Sequence, residues 1–390
     1  MSLGNRLSAE LRGDRVIWMV VALLAMFSIL SVYSATGSMA FKVSGGNTEA
    51  YLMKHGLILG LGLLFTYVCY VMHYMRYKQA APWLMVIAIP MLIYTLALGQ
   101  DINEARRWIE VPFIGITFQT SDFAKLALII FVAREITRHK DYIDDYKRAF
   151  LPIIVPIVII CALIAPADLS TAMLLFTTSM LMMFIGRVGL QYIGLLIILG
   201  LVVFSLLIFL SEAFPDVIRV DTWSQRLDDF VNKPEGGDQL QHAKMAIARG
   251  EFFGVGPGNS QMRNFLHSSY SDFIYAIICE EYGMVGALVI LSLYVLLFFR
   301  TTALVTKSPK AFGALVAMGL SLNLVMQALA NMAVSVHLVP VTGLTLPLIS
   351  MGGTSLLFTC IAFGIILSVS KYIEQVNTNE SGAPKTEESA

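Results

Sequence analysis

Uncharged apolar runs of about 20 residues, the length that crosses a bilayer as one helix, constrain this chain more than any other feature. Val16–Ala40, Val188–Leu210 and Tyr282–Phe299 are three such runs. Composition agrees. Of 390 residues, 57% are hydrophobic and only 14% are charged, where a soluble domain is about a quarter charged. The mean hydropathy is +0.72. So much apolar surface needs lipid around it, and an all-α integral membrane protein is expected.

Ten spans are predicted: Val16–Val32, Gly56–Met75, Pro82–Leu98, Phe123–Val132, Phe150–Ile164, Ser170–Ile185, Leu190–Leu210, Phe273–Phe299, Ala311–Val334 and Ser355–Tyr372. The fourth is short and begins with charged residues; orientation requires it. With the N-terminus in the cytoplasm, lysine and arginine gather on the cytoplasmic side. They are Arg6, Arg12 and Arg15, then Arg76 and Lys78, then Arg134 through Arg148, then Arg187, Arg300, Lys307 and Lys310, and finally Lys371 and Lys385. The short outer loops hold only Lys42, Lys54, Arg106 and Arg107. Omitting the fourth span would invert everything after it.

The chain then reads as a cytoplasmic segment at 1–15, a transmembrane domain at 16–373 and a disordered cytoplasmic tail at 374–390. A large extracytoplasmic loop at 211–271 is the one long polar feature, and ordered loops of this length are usually functional. The first apolar run follows three arginines without a small-residue cleavage site, so a retained helix is expected. Cys69, Cys161, Cys279 and Cys360 all lie in apolar segments without metal-ligand spacing, which points to packed thiols. No nucleic-acid partner is expected.

Ionisable groups inside or at the ends of spans are costly and usually face a cavity or a partner. Asp122, Lys125, Asp168, Asp272, Glu280 and Glu281 are the candidates. Asp272 opens the eighth span, where it is either a helix cap with a dipole-lowered pKa or a carboxylate base facing a cavity. Asp122 and Lys125 are three apart on one helix face, as an ion pair or with Lys125 free for an anionic substrate. Arg106 and Arg107 precede Trp108 on an outer loop, where snorkelling interfacial residues also occur. Asp168 follows Pro166 at a helix start and is a natural cap. Glu280 and Glu281 read as partners of basic groups on other helices. Asn323, Gln327 and Asn331 form a polar stripe suited to interhelical hydrogen bonds or to a cavity wall.

Two glycine-rich stretches remain. Gly250–Gly258 lacks the lysine of a nucleotide-binding loop. Pro340–Ser355, including Ser350, Gly352 and Gly353, reads as re-entrant backbone, tolerated at membrane depth only where protein or a wet cavity satisfies it.

These segments resemble the SEDS family of FtsW and RodA from about Val16 to Tyr372. Arg107-Trp108-Ile109 and Gln119 through Lys125 look like the family's R-W-I and Q-P-S-E-x-x-K. Pro166-Ala167-Asp168-Leu169-Ser170-Thr171 looks like P-D-L-G-T, and Ala246–Gly258 like its A-I-G-x-G-x-x-x-G-x-G loop. Tyr270 through Tyr275 with Glu280-Glu281-Tyr282-Gly283 looks like H-T-D-F-I-F with E-E-x-G. Asn331 through Ser355 looks like P-x-x-G-x-x-L-P-x-x-S-Y-G-G-S-S. Thr120, Asp122, Ser170 and Met351 depart from it, standing where the family has proline, glutamate, glycine and tyrosine. Thr345 through Ser350 is nearer the FtsW branch than RodA.

The resemblance implies a peptidoglycan glycosyltransferase of the bacterial cytoplasmic membrane, placed at the division septum, that polymerises lipid II at the outer face. It implies Asp272 as catalytic base, with Lys125, Arg107, Asp122 and Asp168 at the substrate. Glu280, Glu281, Asn331, Ser350, Gly352 and Gly353 would be structural or cavity residues. No cofactor is implied; a divalent cation is an alternative counter-charge for the leaving pyrophosphate. The implied partners are lipid II, a class B penicillin-binding protein, other divisome proteins and membrane lipid. A lipid II flippase and a scaffold that activates the transpeptidase are the rival readings.

Overall fold

The computed structural model describes residues 12–37, 48–102, 105–110, 117–143, 145–211, 220–232, 237–266 and 269–382. Lys42 and the side chain of Arg106 lie outside that set.

The first spans are α1 (Arg15–Ala35), α2 (Thr48–Val71) and α3 (Met75–Leu98). A three-stranded antiparallel sheet follows, β1 (Gln100–Ile102), β2 (Ala105–Glu110) and β3 (Thr117–Gln119), in which Trp108 pairs with Gln100 and with Gln119. This outer sheet was not foreseen; its strands are too short for a periodic pattern to register. Then come α4 (Thr120–Arg138), α5 (Leu151–Ile164, entered through a π turn at Tyr146–Phe150), α6 (Leu169–Ile185) and α7 (Leu190–Ser211). The long polar segment expected to be the outer loop carries α8 (Val220–Asn232) and α9 (Asp238–Gly250). The last three are α10 (Ile274–Thr306), α11 (Ala311–Ser335) and α12 (Thr354–Gly382).

Eight of these helices are long and apolar enough to cross a membrane among the described residues. The other two of the predicted ten are α4 and α6. The fourth span is not the ten-residue stub the apolar run suggested. It is 19 residues long and 14 of them are buried. Because it sits inside the bundle rather than against lipid, it can carry Asp122, Lys125 and Glu135 and still span. Burial sorts the other helices the same way: 83% of the apolar window of α11 is inside the protein, against 6% for α7. The centre is therefore α4, α11 and α12, and α7 is peripheral.

One face of the bundle is closed by Asp14. It caps α1 through Val16 N at 2.9 Å, accepts from Arg300 at 2.6 and 3.0 Å, and its amide donates to Ser370 Oγ at 2.6 Å. The N-terminal segment, the end of α10 and α12 thus meet on one side, with Asp272 at the other end of α10. The tail expected to be disordered from 374 is helical as far as Gly382. A helix already nucleated and packed extends cheaply, one hydrogen bond per residue added.

The long α10 is broken at Gly283, whose φ is 65° and ψ −162°. The glycine-rich outer segment fills the break. Val255 and Gly256 amides donate to the carbonyls of Glu280 and Glu281 at 2.9 and 3.0 Å, and the Met284 and Val285 amides donate to Glu251 and Phe252 at 3.0 and 3.3 Å. A Cβ on Gly254 would lie 2.2 Å from the Glu281 carbonyl oxygen, so only glycine allows this approach. α9 packs behind it, burying Leu240, Ala243 and Ala246 in one cluster with Phe273, Ala276 and Ile277.

Candidate active site

Asp272 lies two residues before α10, which begins at Ile274 with Phe273 at its cap position. It is not the helix cap. Its backbone is instead held by the re-entrant segment between α11 and α12. Three successive carbonyls are captured: Tyr270 by the Met351 amide at 2.9 Å, Ser271 by the Ser350 hydroxyl at 2.7 Å, and Asp272 by the Asn331 side-chain amide at 2.8 Å. Ser350 also accepts the Leu346 amide at 2.8 Å, and Asn331 also donates to the Leu344 carbonyl at 2.7 Å. Gln327 donates to the Thr345 carbonyl at 2.9 Å, and Ser28 to that of Ile349 at 3.0 Å. The re-entrant backbone at membrane depth is thereby satisfied by protein groups, as it must be. Gly353, at φ 55°, turns the chain into α12, and Gly352 accepts the Ser355 amide at 3.1 Å.

The half-buried Asp272 carboxylate accepts from the Ser271 hydroxyl at 2.9 Å. Burial pushes its pKa up from the usual carboxylate value; the Ser271 bond and the charges of Arg107 and Arg226 pull the other way without cancelling the rise. This reverses the dipole-lowered pKa expected of a capping residue, because the group does not cap. A raised pKa makes a stronger base.

Arg107, on β2, is oriented by α6. Its Nε donates to the Ala167 carbonyl at 2.8 Å and its guanidinium pairs with Asp168 at 3.1 Å. Asp168 is the cap of α6, accepting from the Thr171 amide at 3.0 Å. Arg226, on α8, reaches the Thr342 carbonyl at 3.4 Å. Sequence reasoning missed Arg226, which lies in a polar stretch with no pattern to single it out. Ser271 lay within a quoted motif, but nothing marked its hydroxyl.

The structure separates the other predicted residues. Lys125 is bonded inside the protein, 2.7 Å from Asp122 and 3.5 Å from Gln327. The ion pair, one of the two arrangements expected of Lys125, is present. A cavity of about 30 Å³ adjoins it, bounded also by Asn323 and Ser355. Glu280 binds the outer loop, accepting from the Ser260 hydroxyl and the Gln261 and Met262 amides, with Arg249 at 3.6 Å. Glu281 accepts from Ser34, whose hydroxyl and carbonyl also bind Arg263. The two glutamates clamp the loop onto α1 and α10. Among the described residues no three metal-type ligands converge.

The chain matches the FtsW/RodA/SpoVE family, described as cell cycle protein, over residues 14–375. It is 31% identical to the probable peptidoglycan glycosyltransferase FtsW of Aromatoleum aromaticum, covering 93% of this chain and 88% of that one. It is 31% identical to the protein of the same name from Halomonas elongata, covering 95% and 94%. A structure described as the structural coordination of polymerization and crosslinking by a peptidoglycan synthase complex superposes with a TM-score of 0.68, at 26% identity and with 92% of this chain and 97% of that chain covered. Thermus thermophilus RodA superposes at 0.66, with 23% identity, covering 93% and 98%. Sequence motifs, the all-α membrane architecture and these matches converge, and the chain is a member of the FtsW/RodA/SpoVE family of polytopic membrane proteins.

Proposed function

We propose that this protein is a peptidoglycan glycosyltransferase of the bacterial cytoplasmic membrane that polymerises lipid II during cell division, with Asp272 as the base. The observation that carries the reading is Asp272 itself. Its backbone is immobilised by three carbonyl bonds, its carboxylate has a raised pKa, and two arginines lie on the same side. In the reaction the acceptor 4-hydroxyl attacks C1 of the lipid-linked sugar. Its proton passes to the Asp272 carboxylate, the C1–O bond forms with inversion, and undecaprenyl pyrophosphate leaves with the electron pair. The carboxylate contributes as general base. Arg107, held in place by Asp168 and Ala167, offsets the negative charge on the leaving oxygens.

Asp272 faces outward and both termini are cytoplasmic. Lysine and arginine placement supports this orientation. A class B penicillin-binding protein supplies crosslinking, in keeping with the likeness to a peptidoglycan synthase complex. Purified protein with lipid II and no other glycosyltransferase tests the assignment. Glycan ladders are expected from the native chain and none from Asp272→Asn. Ladders at the native rate from that variant would remove Asp272 as base.

A further inference from the structure

A cavity of about 240 Å³ lies between α8, the start of α9 and the turn that follows α11. Arg226, Asp229, Phe230, Asp238, His337 and Pro340 line it. It is separate from the carboxylate site but joined to it through Arg226, which hydrogen-bonds the Thr342 carbonyl and whose charge is felt at Asp272. It lies beyond the base along α11: the helix runs on from Asn331, the residue bonded to the Asp272 carbonyl, to Ser335, about 6 Å at helical rise, and the turn that carries His337 follows.

The lining has a definite chemistry. Phe230 and His337 meet edge to face at 5.2 Å and form an aromatic corner of the lining. Arg226, Asp229 and Asp238 set cationic and anionic groups around it. His337 Nε2 has no hydrogen-bond partner among the described residues. His337 also stands at φ 59°, a backbone conformation that costs a non-glycine residue energy and is retained where the surroundings hold it. A concave site with an aromatic wall and a few convergent polar groups suits a ligand with one apolar face and many hydroxyl and amide groups. Sugars have that form.

We infer that this cavity is a subsite for the growing glycan strand, holding N-acetylated sugars beyond the bond-forming position. This rests on the polymerase reading above. Of the two reactants, the strand alone extends past the lipid-linked disaccharide, so a sugar site further from the membrane than Asp272 serves the strand. The aromatic corner of Phe230 and His337 meets the apolar face of a sugar ring, Asp229 and Asp238 accept from its hydroxyls, and Arg226 binds an amide or carboxylate oxygen. A retained strand is extended repeatedly without release, so the subsite would set product length.

The test compares Phe230→Ala and His337→Gly with the native protein. The glycine variant keeps the fold, because glycine adopts positive φ without strain. With lipid II as substrate, elongation beyond the tetrasaccharide is expected to fall roughly tenfold more than the first coupling, the effect of one lost contact. Equal losses in both steps, or unchanged product length in a folded His337→Gly protein, would overturn the subsite. A second arm measures equilibrium binding of a lipid-free N-acetylglucosamine–N-acetylmuramic acid tetrasaccharide to the protein in nanodiscs. Binding to the native chain that weakens about tenfold in His337→Gly is expected, and native-like binding by the variant would overturn the assignment. The second arm needs no turnover. Strand binding by a chain that makes no polymer would therefore defeat the polymerase reading and leave the subsite standing.

Discussion

One amide group on α11, that of Asn331, holds the Asp272 carbonyl at 2.8 Å and the Leu344 carbonyl at 2.7 Å. The segment that carries the base and the re-entrant turn that supports it therefore share one donor on α11, beside the direct bonds from Ser350 and Met351. Asn331→Ala removes both bonds and leaves buried carbonyls unpaired. A stability loss of about 1–3 kcal/mol is expected, and polymerisation should fall at least roughly tenfold because the carboxylate loses its fixed position. Thermal unfolding and the lipid II gel assay measure the two effects. Full activity in a destabilised variant would show that Ser350 and Met351 suffice to hold the strand.

The pH profile should carry the signature of Asp272. Its pKa is raised by burial above the ordinary 3.8. A base works only when ionised, so activity should fall as pH drops through that raised pKa, leaving the acid limb above pH 3.8. Ser271→Ala removes a hydrogen bond that favours the charged form. The acid limb should then move to higher pH, and a shift to lower pH would contradict the assignment.

Breaking the Asp122–Lys125 pair should cost more than deleting it. Both side chains are nearly buried, at 3% and 10% exposure, and removing one partner of a buried pair costs about 3–5 kcal/mol. Lys125→Met should lower the melting temperature sharply, and Asp122→Asn combined with Lys125→Met should recover most of it. Activity separates the roles. A double variant that is fully folded yet wholly inactive would place a substrate contact on Lys125.

Gly283→Ala should undock the outer loop. A Cβ there would fall 2.4 Å from the Gly254 amide nitrogen and 2.5 Å from the Phe252 carbonyl oxygen, at φ +65°. A loss of at least about 2 kcal/mol is expected, with faster proteolysis within 250–258. Gly60→Ala is the control. Its Cβ would meet nothing within 4 Å, and the fold should be unaffected or slightly more stable.

Orientation is checked by a cysteine at Asn264, an exposed position in the outer loop, in a chain lacking the four native cysteines. It should react with an impermeant thiol reagent in intact cells whose outer membrane, where present, has been permeabilised. Reaction only after lysis would reverse the topology.

Apolar run length and basic-residue placement made the ten spans legible, because lipid imposes both. α4 was legible only through orientation, since its sequence records burial in protein rather than in lipid. Asp272 and Asp168 were visible as charges at span ends, and Arg107 as a charge on a loop. Asn331 and Ser350 were visible as polar residues, but not what they bind, because the three carbonyls they and Met351 capture are backbone groups and every residue has one. The break at Gly283 was hidden for a similar reason. Its cause is the glycine-rich segment 250–258, whose pattern was visible but whose docking on α10 shows only once Gly254 is seen against Glu281.

That break also bears on how the chain is made. Four backbone groups of α10, the carbonyls of Glu280 and Glu281 and the amides of Met284 and Val285, find partners in residues 251–256. Each would cost several kcal/mol if left open in hydrocarbon. Those partners leave the ribosome before α10 does. The helix therefore cannot satisfy its own backbone as an independent unit. Insertion of α10 and docking of residues 251–256 are expected to be one cooperative step, in which an earlier part of the chain completes a later one.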